Sequence, residues 1–133
     1  MITKQSQLRG FAKKDSILID RLIYDCDSLF SDIVVYGKKC AFCGQPAIDP
    51  FHIVTRTVFS LRWDLRNVVP SCRRCHDYWH KSGKGIEWLE DVRFDLFEYR
   101  QAHLWDLGGK KPSLSELMEL KDKLINLKAK KRR

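Results

Sequence analysis

A chain of 133 residues with 44% hydrophobic side chains is one domain by length, with enough apolar content for a modest core. Lys and Arg outnumber Asp and Glu by 25 to 17, a formal charge of +8, which favours a polyanionic partner without naming it. An apolar run long enough to span a bilayer is absent, and the opening "MITKQSQLRGFAKK" has no apolar signal-peptide stretch; the expectation is a cytoplasmic protein with no membrane partner.

In chain order, "DSILIDRLIYDCDSLFSDIV" predicts an amphipathic helix over 15–35, with Asp15 as N-cap and Leu18, Leu22, Cys26, Leu29 and Ile33 at helical spacing. Cys26 falls on its buried face and reads as a small hydrophobe. Residues 40–82 hold a cysteine knuckle, a β-like run "FHIVT", a second run ending in "NVVP" and another knuckle. A helix starting at that second knuckle would set His76 and His80 on one face. Over 84–127 two helices are predicted. The first is long and carries Ile86, Leu89, Val92, Leu96, Tyr99 and His103. The second follows the breaker "GGKKP", opens on the capping box Ser113/Glu116 and aligns Leu117, Leu120, Leu124 and Leu127. Residues 128–133, "KAKKRR", form a basic tail expected to lack structure unless it lies on a phosphate backbone. No internal repeat is found.

Four of the five cysteines form two CxxC pairs, Cys40/Cys43 and Cys72/Cys75. In a reducing compartment that pattern points to zinc rather than disulfides, because four thiolates satisfy a tetrahedral ion at about 2.3 Å each. The alternative is a set of free structural or redox thiols. The 28 residues between Cys43 and Cys72 exceed the commonest ribbon spacing of about 15–20. Something is therefore inserted between the knuckles. The fold class expected is α+β, a single domain over 1–133 with a small zinc-stapled core and helices on either side.

A single histidine in an apolar run, such as His52, is ordinarily core filling. Here it is followed by Asn67 and then by His76, directly after the last cysteine. The run "CAFC … FHIVTR … LRNVVPSCRRCHDYWH" resembles the HNH endonucleases, which carry a ββα-metal motif and, in many members, a four-cysteine zinc site around it. "HIVTR" and "RWDLRN" further resemble the phage recombination nucleases of the NinG/Rap type. The resemblance covers 40–82, roughly a third of the chain.

It implies a DNA endonuclease. His52 matches the general base, Asn67 the residue that braces the loop aiming that base, and His76 a ligand of the catalytic divalent ion, with Mg²⁺, Mn²⁺ or another divalent transition metal as cofactor beside the structural zinc. His80 stands where some members have a further ligand. Phe51 replaces the family's usual Asp or His ligand, which leaves His80 or Asp49 to help His76.

Neutral imidazole, with an unperturbed pKa of about 6.5, suits the base of phosphodiester hydrolysis, and Arg56 is a candidate second positive contact at the phosphate. Arg62, Arg66, Arg73, Arg74, Lys130, Lys131, Arg132 and Arg133 are candidate phosphate contacts on DNA. Trp63, Trp79, Trp88 and Trp105 read as core, as does His103. The competing readings are a zinc-stapled nucleic-acid-binding module without catalysis and a structural zinc protein that binds another protein. A monomer and a homodimer are equally compatible with the sequence.

Overall fold

The computed structural model describes residues 4–104, 106 and 110–132, with side chains from Lys13 onward. The protein is α+β, mostly helical, with a single two-stranded sheet among the described residues. The chain divides into two compact units, Met1–Leu29 with Pro112–Arg133 and Phe30–Lys111. Among the described residues, no helix is long and apolar enough to cross a membrane.

Helix α1, Lys4–Val35, runs through both units. It begins well before Asp15, the expected cap. No proline interrupts "KQSQLRGFAKK", and its Gln, Leu, Arg, Ala and Lys residues are good helix formers, so nothing stops the helix at Asp15. The buried line of α1 is Ile23, Cys26, Phe30 and Ile33, whereas Leu18 is 48% exposed. Cys26 and Ile33 lie on the expected stripe, but Ile23 and Phe30 are buried in place of their neighbours Leu22 and Leu29.

In the first unit, Ile23 and Cys26 are buried, as are Leu117 and Leu124 of helix α6, Leu114–Lys131. The Cys26 thiol lies 3.9 Å from the Leu117 carbonyl, and Lys121 pairs with Asp25 at 3.1 Å. Burial, reinforced by Asp27 and Asp25, pushes the Cys26 thiol up to about 11, so it stays protonated. The capping box forms as expected, with Ser113 Oγ accepting from the Glu116 N–H and Glu116 accepting from the Ser113 N–H, both at 3.2 Å. The expected unstructured tail is a correction. Helix α6 continues to Lys131, since Ala129 and the lysines favour helix and positive charge suits a helix C-terminus. Arg133 lies outside the described residues.

The second unit contains strands β1, Asp49–His52, and β2, Val68–Ser71, paired antiparallel with His52 opposite Val68 and Pro50 opposite Pro70. The Ile53 N–H bonds the Asn67 carbonyl at 2.8 Å, so hydrogen-bonded pairs alternate from there and the prolines face each other at a pair that needs no N–H. Between the strands lie helix α2, Phe59–Arg62, and a 3-10 turn, Leu65–Asn67, whose first residues are capped by Asp64.

Helix α3, Arg73–Ser82, follows β2 directly and stops at Gly83, whose φ of 70° is left-handed. Gly85 then opens helix α4, Gly85–Val92, in a tight spot: a Cβ there would lie 3.3 Å from the Phe51 ring and from the Trp79 carbonyl, so any larger residue needs these neighbours to give way. The expected long helix is instead two, α4 and α5, Phe94–His103, broken at Arg93 (φ −131°, ψ 68°). Arg93 closes α4 through its N–H to Leu89, opens α5 through its carbonyl, and clamps Asp95 with two bonds of 3.1 Å. The break turns Val92 outward, 60% exposed, while Leu89 and Leu96 stay buried.

Phe51, Ile53, Val69, Leu89 and Leu96 make one core, with Phe42, Trp79 and Trp88 packed against it. Val54, Val58 and Leu61 make a second, backed by Tyr99. Trp63 is half-buried beside Phe59 and the Arg62 guanidinium. Trp105 lies outside the described residues. His103, expected in the core, is half-buried and holds Asp106 at 2.8 Å.

Candidate metal centre and histidine cleft

The loop between α1 and β1 and the N-terminus of α3 bring Cys40, Cys43, Cys72 and Cys75 together, with all four sulfurs within 4.8 Å of one another. Cys43 and Cys72 stand 3.6 Å apart. Tetrahedral Zn²⁺ with bonds of about 2.3 Å requires sulfur pairs about 3.8 Å apart, so the quartet has the size and donor chemistry of a zinc site. The second knuckle is built by α3 itself. Cys72 is its N-cap, and its sulfur accepts from the Cys75 N–H at 3.4 Å.

Burial alone would raise the Cys40 thiol, but backbone N–H groups of Cys72, Cys43 and Phe42 outweigh it and bring it down to about 7. The Cys75 thiol is pushed far up by burial and by the neighbouring sulfurs. Four thiolates cannot crowd together without a cation, and a metal ion is what lets the set ionise. Among the described residues, no other group of three or more His, Cys, Asp or Glu side chains converges in this way.

Beside this centre, β1 and α3 carry the histidines. The His52 Nε2 lies 2.9 Å from the Arg62 carbonyl. A carbonyl only accepts, so a neutral His52 carries its proton on Nε2 and its basic lone pair on Nδ1. Asn67 is fully buried, and both ends of its amide are used. Its Oδ1 accepts from the Val54 N–H at 2.7 Å, and its Nδ2 donates to the carbonyls of Val54 at 3.0 Å and Leu61 at 3.1 Å. It thereby ties both ends of the loop 54–61, and Leu61 is the neighbour of the residue that holds His52.

On α3 the rings of His76 and His80 stand 4.7 Å apart, one turn from each other. His76 Nδ1 is buried without a hydrogen-bond partner; Asp77 Oδ1 lies 3.6 Å away, beyond bonding range. Phe51 stacks on His80 at 4.0 Å and meets His76 edge-on at 5.8 Å. Contact with this ring desolvates His80 and, with the neighbouring His76, keeps its pKa below the ordinary imidazole value. Asp49 does not join them. It is tied to Arg73 at 3.2 Å, because both sit where β1 meets the start of α3.

The proposed phosphate contacts differ in their freedom. Arg66 is clamped by Asp64 at 2.8 Å, and Arg73 sits between Asp49 and Asp77. Arg74 is exposed and has no carboxylate partner among the described residues. Arg62 lies over the rings of Phe59 and Trp63, and its Nη1 donates to the Arg56 carbonyl at 3.2 Å. Arg56 itself is exposed. Lys130, Lys131 and Arg132 are exposed at the end of α6.

His52 and His80 both line a cleft of about 170 Å³ whose wall also includes Phe51, Gly83, Gly85 and Arg100. Neither Arg56, Asn67 nor His76 lines it. Arg100 was not among the residues expected from sequence. The signal was its position four after buried Leu96, which puts a charge on the inward face of α5. Comparison of the chain with protein-family models, with curated proteins and with solved structures gave no match.

Proposed function

We propose that the protein is a metal-dependent DNA endonuclease of the HNH kind, in which β1, β2 and α3 form the ββα-metal core and the cysteine quartet holds a structural zinc. The observation that carries this reading is the hydrogen bond from His52 Nε2 to the Arg62 carbonyl, in a loop closed by Asn67. A core histidine needs only a partner. A general base needs a fixed tautomer with the other nitrogen basic, and this bond supplies it.

In the proposed reaction His52 Nδ1 takes the proton of the attacking water, Asn67 keeps the loop from drifting, and exposed cations orient the phosphate backbone. His76 and His80 are the residues that would hold the catalytic ion, as the unsatisfied, buried Nδ1 of His76 suits a ligand. A divalent ion there would offset negative charge developing on the phosphate and leaving oxygen. Two imidazoles with Phe51 in place of a carboxylate suit a transition ion such as Zn²⁺ or Ni²⁺ better than the Mg²⁺ or Mn²⁺ expected from the resemblance, since those hard ions prefer oxygen donors.

The second reading, a zinc-stapled nucleic-acid-binding module without catalysis, draws on the same phenylalanine, which fills apolar space against both histidines. A panel of duplex, flap, fork and four-way-junction DNA incubated with Mg²⁺, Mn²⁺, Ni²⁺, Zn²⁺ or EDTA separates the two. Metal-dependent cleavage, expected first on branched DNA, supports the enzyme. Binding without cleavage under every metal supports the module.

A further inference from the structure

Among the described residues the other arginines are exposed, except Arg62, which lies over the rings of Phe59 and Trp63 and donates to the Arg56 carbonyl. Arg66 and Arg73 are clamped by carboxylates, and Arg93 holds Asp95 at 3.1 Å. Arg100 stands apart: it is half-buried, lines the histidine cleft and has no carboxylate partner among the described residues. A guanidinium at the wall of a cleft with no carboxylate to hold it is available to an anion that enters.

The rest of the wall tells what that anion is. Among the described residues no Asp or Glu lines the cleft; its other polar side chains are the imidazoles of His52 and His80 and the indole of Trp79, and its flanks include Ile53, Ile86 and Leu89. Apolar flanks lower the local dielectric and strengthen attraction to a negative group. At about 170 Å³ the cleft is smaller than the roughly 300–1,000 Å³ of pockets that take whole cofactors or drug-sized molecules. It suits a single oxyanion. A planar guanidinium offers two parallel donors to adjacent phosphate oxygens, the geometry for which arginine outperforms lysine.

We infer that the cleft between β1, α3, α4 and α5 is an oxyanion site in which Arg100 grips a phosphodiester group of nucleic acid beside His52. The inference rests on the nuclease reading for its choice of phosphodiester, but the anion site itself stands on the cleft. Arg100 reaches it from α5, far outside the stretch that resembles the endonucleases.

The test follows amide shifts of Gly83 and Gly85 and the Arg100 Nε–H by NMR as the zinc-loaded full chain is titrated with inorganic phosphate and, separately, with a thymidine dinucleotide. The expected result is saturable shifts at these three positions, tighter for the dinucleotide, with affinity falling about tenfold or more in Arg100→Ala and only partly in Arg100→Lys. Arg100→Gln keeps a polar stem without charge and must show the same loss if Arg100→Ala unfolds. Stronger binding of inorganic phosphate than of the dinucleotide would overturn the nucleic-acid assignment. Unchanged affinity in folded Arg100→Ala or Arg100→Gln, or shifts confined to α6, would overturn the site altogether. Arg100-dependent binding in a protein that cuts no DNA would keep this inference and remove the nuclease reading; cleavage that needs His52 but ignores Arg100 would do the reverse.

Discussion

The side-chain amide of Asn67 makes two bonds to the same residue, accepting from the Val54 N–H at 2.7 Å and donating to the Val54 carbonyl at 3.0 Å, and spends its remaining proton on Leu61. Asn67→Ala leaves one buried N–H and two buried carbonyls without partners, each costing about 1–3 kcal/mol. The expected loss is about 3 kcal/mol in denaturant unfolding, with zinc content retained because the quartet is elsewhere. Asn67→Asp should fare no better, since a carboxylate would face two carbonyl oxygens. An unchanged midpoint in both variants would show that the loop holds itself.

That tie was half legible in the sequence. The order His52, Asn67, His76, with the first two between the CxxC pairs and His76 directly after the second, marked the residues, but which carbonyls Asn67 serves depends on a loop whose path is set by tertiary packing of Val54, Val58 and Leu61. Local signals were read well where the physics is local. The Ser113/Glu116 capping box and the His76/His80 face are settled within one helical turn. The break at Arg93 was not legible, because the apolar spacing runs straight through it and no Gly or Pro marks it. Arg100 escaped for the opposite reason: it meets His52 and His80 in one cleft only after α4 and α5 have turned back on β1.

The cysteine quartet should carry about one zinc per chain. Removing it with a strong chelator, or replacing a corner by Cys72→Ser, should abolish cooperative thermal unfolding of the second unit, because structural zinc contributes folding free energy directly. Cys72→Ser also substitutes the N-cap sulfur of α3 with a hydroxyl that caps well, so loss of stability would report the metal and not the helix end. A folded, metal-free protein with an unchanged melting curve would remove the zinc assignment.

Acid should weaken the 3-10 turn that ends in Asn67. The Arg66 side chain, followed by its N–H, holds the Asp64 carboxyl below its usual range, and Asp64 caps this turn. A depressed folded pKa gives stability that is present above the unfolded value of about 3.9 and lost as pH falls through the folded value. Asp64→Asn should therefore be less stable than the parent at pH 7, and the gap should close below about pH 4. A gap that stays constant with pH would mean that the carboxylate's charge contributes nothing.

Deleting residues 128–133 removes Lys128, Lys130, Lys131, Arg132 and Arg133, and, because α6 reaches Lys131, also removes helix. The two effects are separable by changing the same five residues to Gln, which keeps helix propensity. If these charges lie on phosphates, DNA affinity should fall and the slope of log affinity against log salt should flatten by up to about 0.9 per contact on duplex DNA. Cleavage at saturating DNA should be spared. An unchanged slope in the Gln variant would mark the end of α6 as a passive terminus.

The decisive pair is His52 and His76. With His52 as general base, His52→Ala should lower the cleavage rate at least about 10²-fold, the lower end for a positioned base. DNA binding and zinc content should stay close to the parent. Were His52 only filling space beside Phe30, 6.2 Å away, the substitution would open a void and stability, binding and activity would fall together. His76→Ala removes a proposed ligand instead, so its activity should be lost at low metal and partly restored by excess, a rescue His52→Ala cannot show. Because Phe51 packs against both His76 and His80, Phe51→Asp offers a gain-of-function counterpart. It restores an oxygen donor at the position where the resembled family has one, and should shift metal preference toward Mg²⁺ or Mn²⁺ provided the core tolerates the buried carboxylate. An active His52→Ala enzyme with the parent's metal dependence would sink the mechanism whatever Phe51→Asp does.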